Sequence, residues 1–157
     1  MVTIAGVRIA GLGGIFREQV WRPPEPGNYT SQQDFVARCG KGNRWRGGLP
    51  LKHHSSIFPS DHANLSKLCA DILVTHEAPS AHPHGFAAID ELARTLGVNK
   101  TFHGHHHDRL DYGTERARLG FDAFGVGLRG ITDQDGRIIR PGDLDIARAG
   151  RMKKQSW

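Results

Sequence analysis

The segment from Asp71 to His107 constrains the fold most, because it alternates apolar runs with a helical pattern. Asp71–Thr75 is a short apolar run that is typical of a buried strand. Apolar residues then recur at helical spacing from Phe86 to Leu96, and Gly97 is placed to end that helix. Val98–His103 predicts the next strand. The order of strand, helix and strand predicts an α/β fold.

The two flanks of this segment predict additional antiparallel strands. Val2–Ala10 predicts two short strands with a turn near Gly6. Phe121–Ile131 has a strand-like composition with glycine interruptions, and Asp135 followed by Gly136 predicts a hairpin into the next apolar residues. We therefore expect an antiparallel portion beside the α/β core.

The first half of the chain predicts two helices around a long loop. Ser31–Arg38 has the pattern of a short helix, and Asp61–Ala70 has that of another, with Ser60 or Asp61 as its N-cap. Gly40–Pro59 is rich in glycine, arginine and histidine and predicts a loop, and long loops in compact domains are often functional.

Composition fits one domain and favours anionic partners. The chain has 157 residues, 38% of them hydrophobic and 24% charged, which argues against wholesale disorder. Its formal net charge of +5 favours phosphate esters or nucleic acids as partners. No apolar run is long enough to span a membrane, and the first residues do not resemble a signal peptide.

Two smaller features have ordinary interpretations. Cys39 and Cys69 are far apart, which predicts reduced thiols in a cytoplasmic protein. The glycine-rich run Gly11–Gly14 partly imitates a dinucleotide-binding loop, but Phe16 stands where the third glycine should be and no helical pattern follows.

Histidines follow both central strands. His76 comes after the first apolar run, and His105 and His107 come after the second. Ligands of open α/β sheets gather beyond the carboxyl ends of the strands, and neutral imidazole suits zinc, iron and manganese. Alternate residues of an extended segment point to opposite sides. The chain must therefore bend for His105 and His107 to converge, or the two must bind neighbouring metals. The alternative is a fortuitous histidine run in a loop.

Three segments occur in a specific order: Val7–Phe16, Asp71–Pro79 and Gly104–His107. In this order they resemble the C-terminal half of calcineurin-like metallophosphoesterases. The first resembles the strand that follows the family's asparagine-histidine motif, the second its strand-then-histidine motif, and the third its GHxH motif. The match extends from the first residues to the hairpin near Asp135.

The resemblance implies a double β-sandwich flanked by helices that holds two divalent metal ions, manganese, iron or zinc. It implies that His76 and His105 bind one metal and that His107 binds the other. A metal-activated water would then attack a phosphate mono- or diester. The neighbouring candidates for contacts to these ligands or to substrate are Glu77, His82, His84 and His106.

The family's earlier DxH, GD and GNH[DE] motifs are absent from this chain. We therefore expect residues 1–147 to correspond to the C-terminal portion of the domain and residues 148–157 to be a basic tail. The expected explanation is a truncated or misassigned product, or one piece of a split enzyme. Such a piece would hydrolyse phosphoesters only when completed by its N-terminal half from another chain, and it would tend to self-associate.

A non-catalytic function is the alternative to hydrolysis. The loop region has a basic and aromatic composition that could hold nucleic acid or a phosphorylated partner. The residues concerned are Arg38, Lys41, Arg44, Trp45, Arg46 and Lys52. A third possibility is an inactive remnant of the phosphoesterase domain.

Overall fold

A mixed five-stranded sheet organises the chain. The structure is a computed structural model that describes residues 1–110 and 112–145, so the predicted basic tail lies outside the described residues. The strands lie in sequence order across the sheet. They are β1 (Val2–Ile4), β2 (Val7–Leu12), β3 (Ile72–Thr75), β4 (Lys100–His103) and β5 (Asp122–Gly125).

Strands β2 to β5 run parallel, and only β1 is antiparallel to its neighbour. Ala5 and Gly6 form the turn between β1 and β2 with positive φ angles of 49° and 82°. The two N-terminal strands and the α/β class predicted from the sequence are therefore confirmed. The parallel arrangement places the carboxyl ends of β2, β3, β4 and β5 at one edge of the sheet.

In the part of the chain that the structure describes, the sheet is accompanied by α1 (Gln32–Arg38), α2 (Pro59–Leu65), α3 (Ala87–Leu96) and α4 (Arg116–Leu119). The prediction of α1 is confirmed, and the Ser31 hydroxyl accepts a hydrogen bond from the Asp34 N–H at 3.1 Å. The prediction of α3 is also confirmed, and Gly97 ends it with a φ of 71°. Within residues 1–110 and 112–145, no helix has the length and apolar character to cross a membrane.

The predicted limits of α2 are wrong at both ends. The helix begins at Pro59, whose fixed φ suits the first helical position. Asp61 is therefore not the N-cap but lies inside the first turn, where its carboxylate accepts the Phe58 N–H at 2.9 Å. The helix ends at Leu65 instead of Ala70. The chain turns directly afterwards, with the Leu68 N–H donating to the Leu65 carbonyl at 3.0 Å, and the Ala70 N–H donates to the Leu96 carbonyl at the end of α3.

The predicted loop Gly40–Pro59 is irregular, with two short 3-10 turns at Lys41–Asn43 and Leu51–His53. Its last part is not a surface loop, since Ile57 and Phe58 are fully buried. A small second core forms beside the main one, consisting of Val20, Phe35, Leu49 and Phe58. The excursion between β2 and β3 is thus a packed substructure.

The predicted strand Phe121–Ile131 is interrupted. After β5 the chain leaves the sheet and forms a separate hairpin of β6 (Ile131–Thr132) and β7 (Ile138–Arg140). The turn is confirmed near the predicted position, where Gly136 has a φ of 80°. The Asp133 carboxylate accepts the N–H groups of residues 135 and 137, which fixes this turn.

The Gly11–Gly14 run and the two cysteines agree with their predicted interpretations. The Gly11–Gly14 run ends β2, and the next helix begins only at Gln32, so the arrangement of a dinucleotide-binding loop is absent. Cys39 and Cys69 are both free thiols, as predicted.

The two faces of the sheet differ in burial. One face joins α3 in the main core, with residues such as Leu73 and Leu92 fully buried. On the other face Val74 is 44% exposed and Ile4 in β1 is 61% exposed. An apolar groove of about 400 Å³ lies between this open face and residues 126–134. Parallel sheets are normally covered on both faces, whereas residues 1–110 and 112–145 leave this face partly uncovered.

An ion pair at the start of β3 predicts a pH-dependent contribution to stability. The Arg8 side chain donates to both oxygens of Asp71, at 2.7 and 3.1 Å. These hydrogen bonds, with that from the Arg8 backbone N–H, lower the pKa of Asp71 to about 2. Because the folded pKa is depressed, the stabilisation is present above the unfolded value near 3.8 and is lost as pH falls toward 2.

We therefore expect Asp71→Asn to lower the free energy of unfolding at pH 6, with a smaller difference from wild type at pH 3. Urea denaturation at a series of pH values measures this difference. Glu18→Gln, which changes an exposed carboxylate outside this pair, is the control. A difference for Asp71→Asn that stays constant from pH 6 to pH 3 would contradict the assignment.

Candidate metal centre at the strand ends

Main-chain hydrogen bonds bring two predicted ligands together at the carboxyl edge of the sheet. His76 directly follows β3, and its N–H donates to the Leu12 carbonyl at 3.3 Å. His105 lies two residues beyond β4, and its N–H donates to the His76 carbonyl at 3.0 Å. The parallel pairing therefore continues past the ends of the strands and fixes both backbones.

The two imidazole rings face each other. His105 Nδ1 lies 2.7 Å from His76 Nε2, and which nitrogen donates depends on the tautomers. Burial, followed by the neighbouring charges of His105 and His107, lowers the pKa of His76. The ring of His76 is therefore favoured in its neutral form, which is the form that binds metals.

The two nitrogens are close enough to be considered as ligands of one metal ion. Tetrahedral ligands at about 2.0–2.1 Å from zinc lie roughly 3.3 Å apart, so the rings would have to separate and turn until both nitrogen lone pairs point at the ion. Within the part of the chain that the structure describes, no group of three or more His, Cys, Asp or Glu is arranged to hold a metal. The pair is therefore a candidate for part of a ligand set and not a complete one.

His107, the third predicted ligand, is not joined to the pair. The chain bends at this point, with a hydrogen bond from the His107 N–H to the Gly104 carbonyl and a φ of 53° at His107. The bend does not bring the His107 ring to His105, so convergence, one of the two arrangements expected for the alternate histidines, is not seen among the described residues. The His107 side chain is exposed, and it is near enough for its charge to affect the pKa of His76.

The other predicted histidines form a stack behind the pair. The rings of His82 and His106 are parallel, with centroids 3.8 Å apart. His82 is buried, and its Nδ1 accepts the backbone N–H of His84 at 3.0 Å. The proton of neutral His82 therefore lies on Nε2, which is 3.6 Å from the Asp108 carboxylate. His84 itself is exposed.

His106 is held in a neutral state. Burial and the nearby His82 lower the pKa of His106 to about 4. Its Nε2 is buried and has no hydrogen-bond partner among the described residues. The His82 and His106 rings thus pack as uncharged aromatic groups and support the loop that carries His105.

The Glu77 carboxylate contacts the backbone, whereas its position beside His76 suggested a contact to a metal ligand or to substrate. Its buried carboxylate accepts the Phe16 N–H at 2.9 Å. This bond ties the segment after β2 to the segment after β3. Glu77 therefore acts on the backbone near His76, while no hydrogen bond from Glu77 to a histidine is seen among the described residues.

His103 and Tyr112 form a buried contact that was not predicted from the sequence. The buried His103 ring lies with Nε2 3.0 Å from the Tyr112 hydroxyl. Burial lowers the pKa of His103 to about 4 and raises the pKa of Tyr112. The alternation of β4 was the available signal, because it places His103 on the same buried face as Thr101. No sequence signal identifies Tyr112 as its partner.

The basic and aromatic segment Arg38–Lys52 does not expose all its cations to solvent. Arg44 turns inward and donates to the Val36 carbonyl at 2.6 Å. The Arg46 guanidinium lies 4.6 Å from the centroid of the exposed Trp45 ring. Arg38 pairs with Asp34 at 2.6 Å. A continuous basic stripe for nucleic acid is therefore weaker in the structure than the sequence suggested.

The chain is similar to a longer bacterial protein. The chain is 42% identical over 139 residues to a protein of Haemophilus influenzae described as uncharacterized. The match covers 88% of this chain and 60% of that protein, so the chain spans about three fifths of the relative's length. No family model matches the chain. No solved structure matches it either.

Proposed function

We propose that the chain carries part of a metal-dependent phosphoester hydrolase centre of the calcineurin-like type. The observation that carries this proposal is the convergence of His76 Nε2 and His105 Nδ1 at the carboxyl edge of the sheet. These two side chains would hold one divalent ion, and His107 would contribute to a second. Such an ion activates water and stabilises phosphate oxygens at neutral pH.

The chain's own residues position this pair before any ion binds. The His105 N–H bond to the His76 carbonyl keeps the two loops in register. The stack of His82 on His106 supports the histidine loop from behind. Preorganisation of this kind lowers the cost of bringing ligands together. The phosphoester would approach from the exposed side, where the His107 and His84 side chains lie.

We further propose that the open face of the sheet is covered by a second polypeptide layer that completes the centre. Val74, Ile9 and Phe102 form an apolar surface there. The occupant that fits is the portion of the longer Haemophilus relative that this chain does not span. Covering a parallel sheet on its second face removes apolar area from water. The described fold would then be the C-terminal portion of a double β-sandwich, and the added layer would supply carboxylate ligands.

A complementation assay tests both proposals. The chain is purified alone and together with the remaining portion of the relative. Release of p-nitrophenol from its phosphate monoester and diester is then measured with manganese, zinc or iron. We expect hydrolysis by the complex that EDTA abolishes. Val74→Lys should prevent complex formation, whereas Leu51→Lys, at an exposed apolar residue outside the open face, should not.

The outcomes separate the two proposals. A complex that forms but hydrolyses neither ester with any of the three metals would overturn the hydrolase function. If no complex forms but calorimetry still detects manganese binding to the chain alone, only the proposal of a second layer would be overturned.

A further inference from the structure

A polar cleft lies away from the histidine pair, between α1 and the two 3-10 turns that follow it. Its volume is about 510 Å³, within the range of roughly 300–1,000 Å³ that is typical of small-molecule sites. Its wall includes the side chains of Gln19, Tyr29, Arg38, Asn43, Lys52 and His53. None of the described residues that line it is an aspartate or glutamate.

The cleft is positively charged. Lys52 donates to the Gln19 side-chain oxygen at 2.9 Å and forms no ion pair with any described residue. The second cation, Arg38, is held in place by Asp34 and lies 4.2 Å from the centroid of the Tyr29 ring. Asp34 lies outside the lining, so it offsets Arg38 without placing a carboxylate in the cleft. An anionic group is therefore favoured beside Lys52.

The wall also contains a buried polar side chain with an unused hydrogen-bonding atom. His53 is only 1% exposed, and its Nδ1 lies 3.1 Å from the Ser56 hydroxyl. Its Nε2 is buried and has no partner among the described residues. Leaving such a group unsatisfied costs free energy, so a ligand hydroxyl or amide that reached it would be stabilised.

Burial and the positive charges of Lys52 and Arg17 lower the pKa of His53, which keeps its ring neutral at physiological pH. The cleft thus offers the two cations Lys52 and Arg38 together with the uncharged hydrogen-bonding side chains of His53 and Asn43. Inorganic phosphate would use only the cations. A phosphate joined to a hydroxylated organic group would use both.

We propose that this cleft binds a small organic phosphate, with the phosphate at Lys52 and Arg38 and a neutral polar group toward His53 and Asn43. This site is separate from the proposed metal centre, since none of its lining residues belongs to the histidine pair or the histidine stack. Binding here requires no metal ion.

Titration of the whole chain with ribose 5-phosphate, followed by amide chemical shifts in the presence of EDTA, tests the proposal. We expect saturable shifts at Asn43 and Lys52 and none with ribose. Lys52→Gln should weaken binding about tenfold, as loss of a charge-assisted hydrogen bond implies. Lys41→Gln removes an exposed lysine of the same loop that does not line the cleft, and we expect less than a twofold change. His105→Ala should leave the affinity unchanged.

Two results would overturn the proposal. The first is the absence of saturable binding of ribose 5-phosphate; in that case, binding of an oligothymidylate that salt weakens steeply would indicate a nucleic-acid surface. The second is equal weakening by Lys52→Gln and Lys41→Gln, which would indicate diffuse attraction to a basic surface.

Discussion

His105→Ala will lower metal-dependent hydrolysis by the completed complex at least about 100-fold. Changes to residues that only support metal ligands already cost roughly 10–100-fold, and removing a ligand leaves the ion with fewer bonds. His105 Nδ1 is one of the two nitrogens that converge at the sheet edge. The measurement is p-nitrophenol release as a function of manganese concentration, together with calorimetric titration of manganese.

The matched control is His54→Ala, which removes an exposed histidine in the basic loop. We expect full hydrolysis and unchanged metal affinity for that variant. Circular dichroism must show that His105→Ala remains folded. Unchanged manganese affinity in a folded His105→Ala protein would show that the histidine pair is a His–His hydrogen bond without a ligand role.

Leu73→Ala will lower the free energy of unfolding by about 2–5 kcal/mol, the range for a buried leucine replaced by alanine. Leu73 is fully buried on the sheet face that packs against α3. The loss combines the transfer of apolar atoms with the cavity that they leave. Urea denaturation of the isolated chain at neutral pH measures it.

The adjacent Val74→Ala provides the matched control, because Val74 lies on the open face and is 44% exposed. We expect a cost below about 1 kcal/mol, since water already reaches that side chain. A Val74→Ala cost as large as that of Leu73→Ala would mean that the open face is covered in the isolated chain. Concentration-dependent unfolding would then identify self-association as the covering.

The regular elements with strong periodicity could be predicted from the sequence. The apolar spacing of α3 and the glycine that ends it are local patterns that can be recognised without knowing the tertiary contacts. The short strands before His76 and before Gly104 are equally local signals. Their shared order along the chain was sufficient to predict that two histidine-bearing ends would meet.

Several features depended on contacts between distant residues. Ala70 was predicted to be helical but donates to the Leu96 carbonyl, a contact that no local pattern encodes. The contact of Glu77 with Phe16 joins segments 61 residues apart. Arg44 looked like part of a basic surface but donates to backbone carbonyls at the end of α1.

The sequence by itself determined that histidines follow two strands of an α/β pattern. Only the tertiary structure decided that His76 and His105 meet while His107 stays outside the pair, because the direction of each ring depends on the bend after Gly104. The open face, too, became visible only in the structure. Strand alternation predicts two faces, but the positions of α3 and the β6–β7 hairpin decide which one is covered.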